Sequence, residues 1–386
     1  MDILPTSVGT RPRLACEIRP EGVVAARCED GAVGVMVAVS RTTLGEGAFR
    51  PHLRAGNVVD RTAVVGAVRQ SLEKVFDKNR ELTLVVPDAS VRVLLLDFDS
   101  LPSKPAEALP VVRFRLKKLL PFDADDAAVS YQVMSTGRGL LRVMAVAMPS
   151  DVLAEYESVV REAGFEPGAI LPSTLAALAG LDESEAPVLL VNAGPEAVTT
   201  AIVKGGVLLL HRSVDMRVDL HVEARPEPQL PPPTIPPELL ANPDQTFADL
   251  PVVSLPLVDR ESTVQEWAMQ EALPEYPVRM ETSSAQTAVL ERTMVEEELP
   301  SPLPPAEIVQ AVSVAAAYFE DTLQAAPGAL LAAGVTSADR LTSLLRTSSL
   351  GEMTVREVVD PAMIPAAVPA GMPRGWLAGV RGALRS

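Results

Sequence analysis

The sequence has few of the residues on which disulfide-bonded and metal-binding proteins depend. Its 386 residues include two cysteines and three histidines, and aromatic residues make up 4%. Cys16 and Cys28 both fall in apolar, strand-like segments, where a reduced thiol that fills the core is the usual state. His52, His211 and His221 lack the spacing of metal ligands. We therefore expect neither a disulfide nor a metal site.

Long hydrophobic runs and an excess of basic residues are also missing. Apolar stretches such as Val312–Phe319 are far shorter than the roughly 20 residues that span a bilayer. The first residues, Met1–Pro5, lack a cationic start followed by an apolar run, so we expect no secretory signal. The net charge of −16 argues against nucleic acid, since binding its backbone needs clustered Lys and Arg. We expect an intracellular protein whose partners are proteins.

What the sequence contains is 47% hydrophobic residues, in patterns that alternate between strand and helix. Two β-rich stretches within Leu14–Ser40 flank the turn-like Cys28–Gly31 and predict a hairpin. Asp60–Asn79 has apolar residues at helical spacing after a capping aspartate, and Leu82–Pro87 reads as a short buried strand. This order predicts the first lobe of an α/β protein, formed by residues 1–85 and 172–184.

Residues 86–171 are predicted to form a subdomain inserted into this lobe. The pattern predicts a strand, a helix, two paired strands and a second helix at Val91–Phe98, Pro105–Leu120, Tyr131–Val133, Leu140–Met148 and Ser150–Glu162. The predicted order of elements in the insertion is therefore βαββα.

A second lobe is predicted to begin at residues 185–218, where two strand patterns repeat those of the first lobe. From residue 219 to 305, prolines crowd together, as at Pro231–Pro233, and acidic residues outnumber basic ones. Such a composition buries too little apolar surface to offset the entropy of ordering, so we predict a disordered linker. Residues 306–386 are assigned to the remainder of the second lobe and a C-terminal helix.

Several short sequence segments resemble those of a known protein family. Val85–Pro87 leads into a strand, Leu120–Asp123 ends a helix, and Tyr131–Val133 and Val143–Ala147 lie in paired strands. In this order they resemble the PilM-type proteins of type IV pilus assembly, relatives of the cell-division protein FtsA, over residues 12–215 and 305–385. The resemblance implies an α/β fold of the actin/Hsp70 (ribonuclease H-like) kind, with two lobes and the insertion.

The resemblance also implies a function. Proteins of this family are cytoplasmic scaffolds, peripheral to the inner membrane. They hold the short cytoplasmic tail of a bitopic, PilN-like protein in a groove between the first lobe and the insertion. Other pilus platform or motor proteins are further candidate partners. A GspL-like scaffold of type II secretion shares the fold and is an alternative.

The first phosphate-binding loop of the superfamily is altered in this sequence. Working members have Asp and then Gly, because a carboxylate organises the metal and backbone amides approach phosphate closely. The matching positions here are Glu17 for the Asp, Arg19 for the Gly, then Pro20, Glu21 and Gly22, with Val24 in place of a frequent lysine. Pro20 removes an amide donor and Glu21 repels phosphate.

The second phosphate loop and the adenosine-binding turn are altered in the same direction. Asn192 replaces an Asp and Glu196 repels phosphate, whereas Gly194 keeps the turn and Thr199 and Thr200 are typical of strands. The adenosine turn retains only Gly334, for which a structural turn and a nucleotide contact are equally open. After Arg212–Val214 the chain passes into the proline-rich stretch, where the family has a helical lid.

These departures predict a scaffold with no catalytic residue and no cofactor, in which binding of ATP and magnesium is disfavoured. Its degenerate nucleotide site would comprise Glu17, Arg19, Gly22, Asn192, Gly194 and Gly334. The alternative is a divergent ATPase or sugar-kinase relative that holds nucleotide with other residues.

Two segments are candidate interaction surfaces. Positive charge is concentrated on the helix of the insertion at Arg113, Arg115, Lys117 and Lys118. This cluster is either a solvated helix face or a surface for an acidic tail or anionic lipid. Near the C-terminus, Trp376, Leu377, Val380 and Leu384 share a helical face beside Arg374, Arg381 and Arg385. We expect this helix to pack on the second lobe, the alternative being a helix on a membrane surface.

Overall fold

The structure is a computed structural model. It describes residues 11–32, 34–137, 140–182, 184, 186–195, 197–215, 305–323, 327–346, 351, 353–366, 368–369 and 372–385. The predicted linker at 219–305 lies outside the described residues, apart from Pro305, which begins a helix. Glu196 and the position expected for a lid, after Val214 and Asp215, lie outside them too. No helix within these ranges has the length and apolar composition needed to cross a membrane.

The strands, in chain order, are β1 (Leu14–Arg19), β2 (Gly22–Cys28), β3 (Met36–Thr43), β4 (Glu81–Val86), β5 (Arg92–Phe98), β6 (Ala127–Gly137), β7 (Leu140–Pro149), β8 (Glu166–Pro172), β9 (Val188–Ala193), β10 (Ala197–Lys204), β11 (Val207–Asp215), β12 (Ala329–Gly334) and β13 (Val355–Glu357). The α-helices are α1 (Arg61–Glu73), α2 (Pro105–Leu116), α3 (Ser150–Glu162), α4 (Ser173–Ala179), α5 (Pro305–Tyr318), α6 (Ala338–Leu345) and α7 (Ala378–Leu384). Short 3₁₀ helices lie at Asp88–Ser90, Pro361–Met363 and Arg374–Leu377, and a π-helical turn at Phe319–Leu323.

The first sheet has the strand order β3-β2-β1-β4-β8. β1, β2 and β3 are antiparallel neighbours, whereas β4 runs parallel to both β1 and β8. The predicted hairpin between β2 and β3 is present, but Leu14–Ser40 contains three strands rather than two. A tight turn at Pro20 and Glu21 separates β1 from β2. Gly22 allows this turn because a Cβ there would overlap the carbonyl oxygen of Thr42.

Local sequence explains how helix α1 is held on this sheet. Asp60 caps it, since its Oδ1 accepts a hydrogen bond of 2.9 Å from the amide of Ala63. Val64, Val68 and Leu72, at helical spacing, are fully buried in the core beneath the helix. The predicted helix and its cap are confirmed. Both cysteines are free and buried within the same sheet, as predicted.

A second five-stranded sheet, in the order β11-β10-β9-β12-β13, repeats the order and the strand directions of the first. β9, β10 and β11 are antiparallel, and β12 runs parallel to β9 and to β13. Helices α5 and α6 cover it through a separate core that includes Val312, Phe319, Leu330 and Leu341. The chain therefore has two lobes of one topology, as the sequence predicts.

The insertion is a three-stranded antiparallel sheet, β5-β7-β6, with α2 packed on it through Val112 and Leu116. The predicted βαββα order is present. Its last helix, α3, packs against α1 and β8 as well as against β6 and β7. The predicted boundary between the insertion and the first lobe, at residue 172, is corrected. Strand β8 (Glu166–Pro172) pairs with β4 and therefore belongs to the first lobe. Local periodicity does not reveal such a non-local pairing.

The C-terminal helix α7 is buried along its whole length. It packs against α4 and against β1, β2 and β4 of the first lobe. The 3₁₀ helix before it contacts β12 of the second lobe, and Arg41 lies over the ring of Trp376 at 4.2 Å. The expectation of packing is right, but the helix itself lies on the first lobe rather than the second. Arg381 explains this, since its guanidinium donates to the carbonyl oxygen of Gly180.

We predict that Gly382→Ala destabilises the protein by about 1–3 kcal/mol, because an added Cβ would overlap the carbonyl oxygen of Ala176 where α7 crosses α4. The matched control is Gly66→Ala in α1, where an added Cβ meets nothing within 4 Å. Ala at that position should stabilise the helix by about 0.5–1 kcal/mol. Chemical denaturation of both variants tests this. An unchanged stability of Gly382→Ala would contradict the close packing of the two helices.

Candidate functional site

The candidate site is a cleft between the two lobes, at the ends of β1 and β9. Two turns face each other across it, the β1–β2 turn of the first lobe and the β9–β10 turn of the second. The lining includes Glu17, Arg19, Pro20, Glu21, Asp88, Ser173, Asn192, Gly194, Pro195, Thr199 and Asp215. The two segments predicted as degenerate phosphate loops thus come together. The cleft has a free volume of about 60 Å³, whereas ligand pockets typically measure about 300–1,000 Å³.

An ion pair between Glu17 and Arg19 occupies the end of β1. Nη2 of Arg19 lies 2.7 Å from Oε1 of Glu17, and the side chains of Arg19 and Glu17 are 7% and 1% exposed. Ser173, at the start of α4, donates a hydrogen bond of 2.7 Å to the same Oε1. The positive charge of Arg19 is therefore balanced from within the first lobe. A glycine at this position would leave open the space that the arginine side chain fills.

The C-terminal helix closes the other side of Glu17. A Cβ at Gly379 in α7 would overlap Oε2 of Glu17, so the helix backbone lies directly against the carboxylate. Only glycine allows this close approach. The carboxylate thus lies between Arg19, Ser173 and α7, at the edge of the cleft.

Asn192 connects the lobes across the cleft. Its Nδ2 lies 3.1 Å from Oγ of Ser173 and 3.0 Å from Oγ1 of Thr174, and 3.4 Å from Oδ2 of Asp88. The amide donates to these oxygens, whereas the carboxylate found in the family could only accept. An Asp at 192 would also bring a second negative charge against Asp88. An Asn at position 192 is therefore better suited than an Asp to a contact between the lobes.

Asp88, Ser173 and Thr174 were not identified from the sequence as site residues. Asp88 accepts hydrogen bonds from the Thr174 amide at 3.2 Å and from its hydroxyl at 2.6 Å. The available signals were the position of Asp88 directly after the buried strand β4, and the Ser–Thr pair that follows Pro172. Both lie at carboxyl ends of parallel strands, where the side chains of α/β proteins converge on sites.

The remaining predicted site residues have structural roles in the described geometry. The Gly194 amide donates to Ala197 across the β9–β10 turn. Gly334, with φ of +83°, has no room for a Cβ against the carbonyl oxygen of Ala193. Gly375, in the C-terminal 3₁₀ helix, packs directly on the Gly334 backbone. The C-terminal segment thus covers the turn at Gly334, for which a structural role and a nucleotide contact were equally open.

The four cations predicted as a cluster on α2 divide into two kinds. Arg113 donates to the carbonyl oxygens of Ala124 and Ala127, and Lys117 pairs with Asp125. These two stabilise the turn after α2. Arg115 and Lys118 instead face solvent. Two of the four cations are thus engaged in the fold, although Lys117 is also exposed, and the role of the cluster as a partner surface stays a prediction.

No protein-family model matches the sequence, and no curated protein sequence matches it either. Among solved structures, a chain of the PilM-PilN type IV pilus biogenesis complex is similar, with a TM-score of 0.61 and 14% identity. The match covers 97% of this chain and 98% of that one. The two chains share one fold. The predicted actin-like fold, with two lobes and an insertion, is confirmed.

Two other solved structures match over part of the chain. The cytoplasmic domain of EpsL, from the type II secretion system of Vibrio cholerae, has a TM-score of 0.34 and 13% identity, over 52% of this chain and 70% of that one. MreB5 of Spiroplasma citri, bound to ADP, has a TM-score of 0.26 and 11% identity, over 53% of this chain and 52% of that one.

We predict that Arg19→Ala destabilises the protein by about 3–5 kcal/mol, because it leaves the carboxylate of Glu17 buried without its countercharge. Replacing both residues, as Glu17→Gln with Arg19→Met, should restore most of the lost stability. The control is Arg161→Ala, which removes an exposed ion pair with Glu157 and should cost less than about 1 kcal/mol. Urea denaturation measures all three, and equal effects of Arg19→Ala and Arg161→Ala would contradict the buried pair.

We also predict that the stability of the folded protein depends on pH through the protonation of His211 on β11. Burial lowers the pKa of this imidazole, and the opposing effect of Asp88 is smaller. The folded protein therefore holds His211 neutral at pH values where the unfolded chain binds a proton. Stability contributed by His211 is lost as pH falls below its unfolded value of about 6.5.

The variant His211→Gln should accordingly lose less stability than the natural chain between about pH 7.5 and 5.5, by up to about 1.4 kcal/mol per pH unit. Denaturation curves at a series of pH values give the two slopes. Identical slopes would show that His211 protonates equally in the folded and unfolded chains.

Proposed function

We propose that this protein is an actin-like scaffold of type IV pilus assembly that binds protein partners and does not turn over ATP. The observation that carries the proposal is the buried ion pair of Glu17 and Arg19 in the position of the first phosphate loop. The likeness of fold to a chain of a pilus biogenesis complex, over nearly the full length of both, supports the choice of system.

The chemistry of the cleft opposes a magnesium nucleotide in three ways. Pro20 offers no amide to a phosphate oxygen, and the carboxylates of Glu17 and Glu21 line the place where phosphates would lie. The amide nitrogen of Asn192 is engaged by Ser173 and Thr174 of the first lobe, and this neutral side chain brings no negative charge to a metal ion.

We propose the short cytoplasmic tail of a bitopic, PilN-like inner-membrane protein as the partner. The similar solved chain comes from a complex of PilM with PilN, which supports this choice. Peptide docking uses apolar pockets and backbone edges, and it therefore does not depend on an intact phosphate site. The insertion is joined to the first lobe through α3, and we propose this junction as the place where the tail binds. The protein would then work on the cytoplasmic side, peripheral to the membrane.

We predict that calorimetry of the full chain with ATP and magnesium detects no binding. The physical reason is that Arg19 is neutralised by Glu17 and that Pro20 offers no amide to a phosphate. The variants Glu17→Ala and Asn192→Ala are titrated in parallel. Micromolar affinity in the natural chain that is lost in both variants would contradict the proposal and favour the divergent ATPase.

A second titration uses the cytoplasmic tail of the single-span protein encoded beside this one, as a synthetic peptide, with a scrambled peptide as control. We expect sequence-dependent binding with the same affinity in the presence and absence of ATP and magnesium. Tail binding that requires ATP would show that the cleft is a working nucleotide switch.

A further inference from the structure

Helix α2 presents apolar side chains to solvent. Phe114 is 68% exposed, the highest value among the large apolar residues in the described part of the chain. Val111 on the same helix is 39% exposed, and Leu119 in the turn after it is 50% exposed. Aromatic side chains are usually buried in globular proteins, so this exposure needs an explanation.

These residues form one stripe together with two cations. Val111, Phe114 and Arg115 are spaced i, i+3 and i+4, which places them on one face of the helix, and Lys118 and Leu119 lie in the turn directly after its end. We call these five residues the α2 stripe. The opposite face, with Ala108, Val112 and Leu116, is fully buried against the insertion sheet. The stripe therefore points away from the protein.

The local charge of the α2 stripe is positive, although the chain as a whole carries −16. Arg115 and Lys118 flank Phe114; Glu107 pairs with Lys104 and Asp125 with Lys117, and Asp123 and Asp126 lie in the turn that follows. Charges are screened beyond about 8 Å at physiological ionic strength, so the local cations outweigh distant acids at a surface.

We propose that the α2 stripe binds an anionic lipid surface. The stripe is a small patch in which exposed Phe, Leu and Val lie beside Arg and Lys, a composition that suits a membrane interface. The apolar side chains enter the boundary of headgroups and acyl chains, while Arg115 and Lys118 contact anionic headgroups.

We favour a bilayer over a protein as the occupant because Arg115 and Lys118 lie beside the exposed apolar side chains, which matches the anionic headgroups and acyl chains of a lipid interface. The contact is independent of any tail-binding groove. It would hold the insertion against the membrane directly, in addition to the indirect attachment through a bitopic partner.

The test is flotation of the purified full chain with vesicles of phosphatidylglycerol and phosphatidylcholine in equal parts, and with vesicles of phosphatidylcholine alone. We expect binding to the anionic vesicles only. The double variants Phe114→Ser with Leu119→Ser, and Arg115→Glu with Lys118→Glu, should each lower the partition by at least about tenfold. The control Val314→Ser removes an exposed apolar residue on α5 and should bind like the natural chain. Melting temperatures of all variants confirm that they are folded.

Absence of binding to anionic vesicles, or binding that both double variants retain, would overturn the proposal. Equal binding to neutral vesicles would overturn it as well. A third outcome is that the chain does not bind vesicles, while the double variant Phe114→Ser with Leu119→Ser binds an acidic tail peptide more weakly. The α2 stripe would then bind a protein, and the proposal would be wrong. Because the vesicles contain no protein and no nucleotide, none of these results depends on the proposed scaffold function.

Discussion

The buried ion pair of Glu17 and Arg19 is the interaction around which the cleft is arranged. A buried charge that loses its partner is strongly destabilising, so the two residues depend on each other. The pair is enclosed by Ser173 at the start of α4 and by the backbone of α7 at Gly379. The position of the C-terminal helix, the start of α4 and the closed first phosphate loop are therefore parts of one arrangement.

The contact between the lobes follows from the same arrangement. Side chains connect the two sides of the cleft: Asn192 from the second lobe donates to Ser173 and Thr174 of the first. Helices α4 and α7 add a close backbone contact at Gly382, stabilised by Arg381. A cleft that protein groups already bridge is suited to a fixed scaffold, which presents its outer surfaces to partners.

Local patterns predicted much of this fold. Apolar spacing and the Asp60 cap located α1, and the phrases from Val85 to Ala147 placed the insertion. The unfavourable residues Arg19 and Pro20 were visible as departures from a phosphate loop. Non-local contacts were not visible. The pairing of β8 with β4, the burial of α7 on the first lobe and the partners of Asn192 each join residues far apart in the chain. Asp88 follows a buried strand directly, but it was missed because its partners Thr174 and Asn192 lie far along the chain.

The proposed scaffold function depends on the end of β1, where the ion pair of Glu17 and Arg19 lies in place of a nucleotide phosphate. A crystal structure of the full chain, grown with magnesium and a non-hydrolysable ATP analogue, tests this most directly. We expect an Arg19 guanidinium in contact with Glu17, Asn192 in contact with Ser173 and Thr174, and no triphosphate between the two turns. Electron density for a magnesium triphosphate between the β1–β2 and β9–β10 turns, with Arg19 displaced from Glu17, would contradict it.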